Sequence, residues 1–109
     1  MSVRERLALD EILSRCRLIR EFTAYGKVAF LNSRESQEAT YRCFEVMGEA
    51  ARRLPISLHK EWPKVPWKEM MNLRNDLIHD YDQVIPEEIW KAVEYKLPVI
   101  EKTISRVRV

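Results

Sequence analysis

Residues 66–81 read PWKEMMNLRNDLIHDY, and the apolar side chains in this stretch return every three or four positions. Such spacing is typical of an α-helix with one apolar side, and the proline at its start suits a first helical turn. Three other stretches share this periodicity, at about residues 2–28, from 33 or 36 to 54, and 86–107. The sequence therefore predicts four helices joined by short connections.

The amino-acid composition favours the same class of fold. Of 109 residues, only 2 are glycine and 5 are proline, while 46% are hydrophobic. So few glycines cannot supply the turns of an all-β fold or the glycine-rich loops of Rossmann and P-loop domains. A chain of this length can bury an adequate core as one domain without disulfides or metal. We expect an all-α protein, a four-helix up-and-down bundle that forms a single domain over residues 1–109.

Charged residues are numerous but nearly balanced. The chain has 19 lysines and arginines against 17 aspartates and glutamates, a net charge of +2. This is not the strongly basic footprint of proteins that hold nucleic acid by charge alone, although it leaves room for a small anion site. Over residues 61–85 the balance is acidic, with 3 basic against 5 acidic residues.

No metal centre, cofactor or membrane segment is expected. Cys16 and Cys43 lie in apolar helical surroundings and are predicted to be reduced core thiols; the cysteines and histidines have no paired-ligand spacing. Asp10 and Glu11 interrupt the N-terminal stretch where a signal peptide needs an uncharged apolar run. No segment approaches the roughly 18 apolar residues of a membrane span. We therefore expect a cytoplasmic protein.

Three single residues make local predictions. Gly48 lies in the middle of the second helix, where glycine costs about 1 kcal/mol relative to alanine, so another helix is predicted to approach closely there. Pro98 removes a backbone hydrogen bond inside the fourth helix and predicts a kink. His59, in the connector 56–65, is expected to be solvated. The tryptophans are expected to anchor the bundle or an interface: Trp62, Trp67 and Trp90.

Arg74 breaks the apolar pattern of the third helix. On a helical wheel it is predicted at the centre of the apolar face, with six apolar side chains within about 60°. These are Trp67, Met70, Met71, Leu77, Ile78 and Tyr81. A buried guanidinium needs a carboxylate, an anionic ligand or a surface shared with another chain. One interpretation is a structural ion pair with a glutamate such as Glu49.

The other interpretation of Arg74 is a functional site. Asn75 and His79 lie side by side on its flank, so a fixed cation, an amide and a side chain that titrates near neutrality are close in sequence. On a regular helix Arg74 and His79 are about 140° apart. They can converge only if the helix ends near His79, or if a second subunit brings its copy across a two-fold axis.

The string Arg74-Asn75-Asp76-Leu77-Ile78-His79-Asp80-Tyr81 resembles the RNxxxHxY signature of HEPN-domain proteins. It is closer still to the HepT family of small toxins, and that resemblance extends over nearly the whole chain. The other matching segments are LDEIL at 9–13, GEAA at 48–51 with Leu54-Pro55, the Pro66-Trp67 pair, Trp90 and Leu97-Pro98. After Tyr81 the chain departs from its relatives, with Asp82-Gln83 where they often carry an aromatic and a small residue.

The resemblance implies a HEPN-like four-helix bundle that forms a homodimer, with both motifs at a shared cleft. It also implies metal-independent endoribonuclease activity, in which the 2′-hydroxyl of RNA is the nucleophile. His79 is then predicted as the general acid/base and Arg74 as the group that stabilises negative charge on the phosphate. Asn75 is predicted to support them by orienting a phosphate or the histidine ring.

The resemblance implies a protein partner as well. HepT-like toxins are typically paired with a small nucleotidyltransferase antitoxin of the MntA type, which is implicated in AMPylation of the motif tyrosine, here Tyr81. Added phosphodiester charge would compete with RNA phosphate for Arg74. The alternative is a non-catalytic helical module that dimerises and serves as the binding subunit of a nucleotidyltransferase, with Arg74 only a member of an interface ion pair.

Overall fold

A computed structural model describes residues 1–108, and every regular element in that range is helical. The seven α-helices are Val3–Phe22 (α1), Gly26–Leu31 (α2), Arg34–Arg53 (α3), Ile56–Glu61 (α4), Trp67–His79 (α5), Pro86–Lys91 (α6) and Leu97–Arg108 (α7). A 3₁₀ turn follows α5 at Tyr81–Gln83, and a π-helical segment, Ala92–Lys96, joins α6 to α7. The all-α prediction is confirmed.

Four long helical units form the bundle: α1, α3, α5 and the continuous α6–α7 unit. The α3 helix packs between α1 and α5, and α1 also packs on α7. The α1 and α7 helices are antiparallel, since Arg20 bonds to Glu101 while Asp10 pairs with Arg108. Their buried side chains meet in one continuous core, to which α2 and α4 add Phe30 and Leu58.

The first helix is shorter than its apolar pattern predicts. We expected it to reach about Val28, but it ends at Phe22 and the chain turns before α2 begins. Gly26 has a φ of 90° there, a left-handed conformation that residues with a Cβ rarely adopt. Thr23 also bonds its hydroxyl to the Ile19 carbonyl at 2.7 Å. The apolar periodicity continues through this turn, so the sequence pattern does not show that the helix ends there.

The fourth helical unit is irregular next to Pro98, where we predicted a kink. The π-helical segment Ala92–Lys96 immediately precedes the turn that contains the proline. Pro98 has no backbone N–H, so the carbonyl of Glu94 loses its usual partner four residues ahead. A local change to the wider π pattern is a known way for a helix to absorb such a defect.

His59 is not the solvated residue that we expected. Its Nε2 donates to the Ala51 carbonyl at 2.9 Å, and its ring stacks on Trp67 with centroids 4.6 Å apart and planes at 9°. The connector folds as α4 and brings the ring back over the end of α3, which local polarity does not reveal. The tryptophans are packing anchors, as predicted: Trp67 donates to the Trp62 carbonyl at 3.0 Å, and Trp90 packs on Phe30.

The two cysteines are buried and unpaired. Cys16 and Cys43 are each 1% exposed and form no disulfide. Burial raises the pKa of the Cys16 thiol to about 12 and also raises the pKa of Cys43. The thiolate is the reactive form of cysteine, and a raised pKa keeps both thiols protonated at neutral pH. Both cysteines are therefore unreactive core side chains, as predicted.

Candidate active site

The α5 helix carries the RNxxxHxY motif and faces the core with only part of its apolar pattern. Trp67, Met70 and Leu77 are buried. Arg74 falls between Trp67 and Met70 around the helix, so its Cβ lies on this buried face, as predicted, while its side chain as a whole is 23% exposed. Ile78, on the far side of Arg74, is 43% exposed. The apolar pattern of α5 is therefore wider than its buried face.

Gly48 sets the position of Arg74 against α3. A Cβ added at Gly48 would lie 2.3 Å from the Cβ of Arg74 and 2.6 Å from the Met70 carbonyl oxygen. Real Cβ contacts essentially never fall below 3.0 Å, so a hydrogen is all that fits between the helices. The close approach predicted from Gly48 is confirmed, and the helix that approaches is the one that carries the motif.

The guanidinium of Arg74 is held by two neighbours. Its Nη1 donates to Oδ1 of Asn75 at 2.9 Å, and its Nη2 lies 3.4 Å from Oε2 of Glu49. Its Nε is buried and has no hydrogen-bond partner among residues 1–108. The ion pair with Glu49 that the structural interpretation expected is present. Asn75 contacts the arginine, whereas we expected it to orient a phosphate or His79.

Glu49 is shared with a second arginine that the sequence reasoning missed. Arg52 donates to its two carboxylate oxygens from Nε at 3.1 Å and Nη2 at 2.9 Å. These hydrogen bonds, and then the charges of Arg52 and Arg74, lower the pKa of Glu49. Arg52 makes the tighter, two-pronged contact, so Arg74 is the more weakly held of the two cations.

His79 is the last residue of α5, and its side chain is exposed. It makes no hydrogen bond or ion pair within the part of the chain that the structure describes. The sequence predicted that Arg74 and His79 could converge within one chain only if the helix ended near His79. The α5 helix does end there. No hydrogen bond joins these two side chains within residues 1–108, and five residues of helix separate their backbones by about 7.5 Å along the axis.

Tyr81 lies beyond the helix, in the 3₁₀ turn, and contacts the N-terminal half of α3. Its hydroxyl donates to Oε1 of Glu38 at 2.9 Å, and its ring meets that of Tyr41 edge-on at 6.1 Å. The hydrogen bond to the Glu38 carboxylate raises the pKa of Tyr81. Tyr81 faces α3, as Arg74 does, but from a 3₁₀ turn beyond α5 rather than from the continuous helix that the sequence predicted.

The α3 helix therefore contacts both ends of the motif. It runs antiparallel to α5, since Glu38 meets Tyr81 while Glu49 meets Arg74. Sequence reasoning proposed Glu49 as a partner but missed Glu38. The only signal for Glu38 was its place on the same side of α3, eleven residues or about three turns before Glu49.

Comparison with known proteins gives the family. The family described as "Ribonuclease HepT-like" matches residues 12–107. The chain belongs to the HepT-like ribonuclease family. This membership places it among ribonucleases, implies RNA as the substrate, and confirms the resemblance of the RNxxxHxY segment and its surroundings.

Several relatives of this HepT-like chain carry ribonuclease names. "Probable ribonuclease HepT" of Thermococcus cleftensis is 33% identical over 92% of each chain. A Methanocaldococcus jannaschii protein named "Putative RNase" is 37% identical, over 91% of this chain and 92% of its own length. Two others from that organism are longer, and this chain covers 67% and 64% of them. No solved structure is a significant match.

Residues 1–108 of the HepT-like chain contain neither a candidate membrane span nor a candidate metal cluster. No helix there is long and apolar enough to cross a membrane. No group of three or more histidine, cysteine, aspartate or glutamate side chains in that range is arranged to hold a metal ion. The catalytic, supporting and modification roles of Arg74, Asn75, His79 and Tyr81 stay predictions.

Proposed function

We propose that this chain is a cytoplasmic toxin that acts as a metal-independent endoribonuclease, with Arg74 and His79 as its catalytic residues. The observation that carries the proposal is the arrangement of these two side chains. Gly48 and Glu49 fix a partly exposed guanidinium on α5, and the helix ends at an exposed imidazole that makes no hydrogen bond or ion pair within residues 1–108. These are an anion-binding group and a proton-transfer group on one rigid element.

The reaction needs both groups. The 2′-hydroxyl of the RNA attacks the adjacent phosphorus, the bond from phosphorus to the 5′-oxygen breaks, and a 2′,3′-cyclic phosphate forms. His79 takes the proton from the 2′-hydroxyl or gives one to the leaving 5′-oxygen. Arg74 binds the non-bridging oxygens, where negative charge grows. Asn75 acts in support, because its Oδ1 fixes one side of the guanidinium.

A homodimer would complete this site. Arg74 and His79 do not meet within one chain, but a two-fold axis beside α5 would place His79 of one copy near Arg74 of the other. Ile78 lies between them in sequence and is 43% exposed. One exposed apolar side chain is ordinary on a protein surface, so the proposal of a homodimer rests on the need to bring Arg74 and His79 together.

RNA cleavage in the presence of a chelator tests the proposed activity. We expect the purified protein to cut RNA equally well with and without EDTA, because no step uses a metal. An oligonucleotide of the same sequence with deoxyribose at every position should stay intact, since it lacks the nucleophile. Loss of cleavage in EDTA, or cleavage of the deoxy oligonucleotide, would contradict the mechanism.

We further propose that Tyr81 accepts AMP from a nucleotidyltransferase antitoxin of the MntA type. Tyr81 is 42% exposed as a residue, so its hydroxyl can reach a partner's active site once it leaves Glu38. The phenolic oxygen attacks the α-phosphorus of ATP, pyrophosphate leaves, and the phenolic proton is released. The modified tyrosine cannot donate to Glu38, and its phosphodiester would be repelled by that carboxylate.

Mass spectrometry after incubation with the partner and ATP tests this modification. We expect the mass to rise by one or more adenylyl groups in the wild type and to stay constant in Tyr81→Phe. Tyr25→Phe is the matched control, because Tyr25 is 92% exposed and lies outside the motif, so its removal should leave the mass gain intact. A mass gain that persists in Tyr81→Phe would refute the assignment.

The alternative function is a non-catalytic binding subunit of a nucleotidyltransferase. The ion pair between Arg74 and Glu49 favours it, since this contact supplies a counter-charge to the arginine without any ligand. A wild-type protein that binds the nucleotidyltransferase and leaves RNA intact would support this alternative.

A further inference from the structure

A groove beside Arg74 gathers cations from three helices. It has a volume of about 340 Å³. Arg15 of α1, Arg42 and Arg53 of α3, and Arg74 of α5 all line it. We call this surface the arginine groove. The sequence pattern does not group these residues. They come together because α3 packs between α1 and α5.

Three glutamates, Glu11, Glu45 and Glu49, also line the groove, but apart from the contact of Glu49 with Arg74 they hold its arginines only weakly. Arg15 lies 3.9 Å from Glu11 and Arg42 lies 3.7 Å from Glu45, both beyond hydrogen-bond distance. Arg53 forms no ion pair among the residues that the structure describes. Exposed pairs of this kind contribute about 0–1 kcal/mol, so a phosphate can displace the carboxylates at little cost.

The opposite flank of α5 has the reverse charge. A groove of about 550 Å³ on that flank is lined by Asp76, Asp80 and Glu88, and by no lysine or arginine. The acidic balance of residues 61–85 therefore does not describe the surface next to Arg74. The α5 helix separates an acidic flank, which repels a polyanion, from a cationic flank, which attracts one.

We propose that the arginine groove binds the phosphate backbone of the RNA strand on one side of the scissile phosphate. The strand then runs from Arg74 across α3 towards Arg15 of α1. This inference rests on the proposed ribonuclease function and adds the path of the substrate. Arg42 and Arg53 bind phosphates away from the bond that breaks, so they contribute to substrate binding rather than to the chemical step.

The salt dependence of binding tests the groove. The probe is a fluorescent deoxy oligonucleotide, which lacks the nucleophile, and its Kd is measured at several salt concentrations. Each phosphate contact to a single strand contributes about 0.7 to the slope of log Kd against log salt. We expect the double variant Arg42→Gln/Arg53→Gln to bind more weakly, with a slope that is smaller by about 1.4. Arg42→Lys/Arg53→Lys should keep the wild-type slope.

The matched control removes the same charge elsewhere. Arg6 and Arg106 are exposed, line none of the grooves described, and form no ion pair among residues 1–108. Arg6→Gln/Arg106→Gln should keep the wild-type slope, and circular dichroism checks that each variant is folded. Equal slopes for the Arg42→Gln/Arg53→Gln variant and the wild type, or equal losses in both glutamine variants, would overturn the proposal.

Cleavage kinetics separate this inference from the proposed function. With RNA as substrate, Arg42→Gln/Arg53→Gln should raise KM and leave kcat unchanged. If the wild type does not cut RNA but the slopes differ as expected, the ribonuclease function fails and the groove stands. If the wild type cuts RNA and the double variant has wild-type KM and slope, the groove fails and the function stands.

Discussion

Replacement of His79 by alanine is expected to lower the kcat of RNA cleavage about 10²–10⁴-fold, the usual contribution of a general acid or base. The side chain is exposed and makes no hydrogen bond among the described residues. The free energy of unfolding of the variant should therefore lie within about 0.5 kcal/mol of the wild-type value. The measurement is kcat in EDTA, with the free energy of unfolding from urea denaturation of the same preparations.

The chain's other histidine supplies the control. His59 bonds to Ala51 and stacks on Trp67, so His59→Ala should destabilise the fold by about 1–3 kcal/mol through the lost hydrogen bond and the lost stacking. It should keep most of its kcat at temperatures where it is folded. Equal activity of His79→Ala and the wild type would refute the assignment of His79.

Gly48→Ala is expected to damage both stability and activity. The added methyl would gain about 1 kcal/mol of helix propensity, but it meets the Cβ of Arg74 at 2.3 Å and the Met70 carbonyl at 2.6 Å. Neither atom is the end of a flexible side chain, so α3 and α5 must separate. Overpacking of this kind costs about 1–3 kcal/mol. The shift of Arg74 should then lower kcat at temperatures where the variant is folded.

Gly26→Ala distinguishes this effect from a general loss of stability. Gly26 has a φ of 90° and no atom within 4 Å of an added Cβ, so alanine there strains the backbone and contacts nothing. The variant should unfold more easily but keep the wild-type kcat. If Gly48→Ala lowers stability yet also keeps the wild-type kcat, Gly48 does not set the position of the catalytic arginine.

The fold was predictable because helical periodicity is local information. The four apolar stripes and the prolines at residues 66 and 86 predict the bundle, and Gly48 predicts a close helix contact. The break at Gly26 was missed because the apolar spacing continues through it. Glycine permits a left-handed turn without requiring one, so only tertiary packing decides whether the helix ends there.

The candidate site was predictable in its residues but not in its geometry. A helical wheel assumes an uninterrupted helix, and it placed Tyr81 beside Arg74. The helix instead ends at His79, and the tyrosine turns towards Glu38. The same wheel counted Ile78 in the apolar face, but the structure leaves Ile78 exposed, so the buried face of α5 is narrower than its apolar pattern. Contacts between helices, such as those of Glu38 and Arg15, lie outside what periodicity can show.

The end of α5 at His79 has a consequence for the order of proton transfers. In an in-line displacement the attacking 2′-oxygen and the leaving 5′-oxygen lie on opposite sides of phosphorus, beyond the simultaneous reach of one imidazole. One His79 can therefore serve only one of these oxygens while the bonds change, and in the proposed homodimer the partner's His79 is the group available for the second transfer. Arg74 meanwhile stays tethered to Asn75 and Glu49.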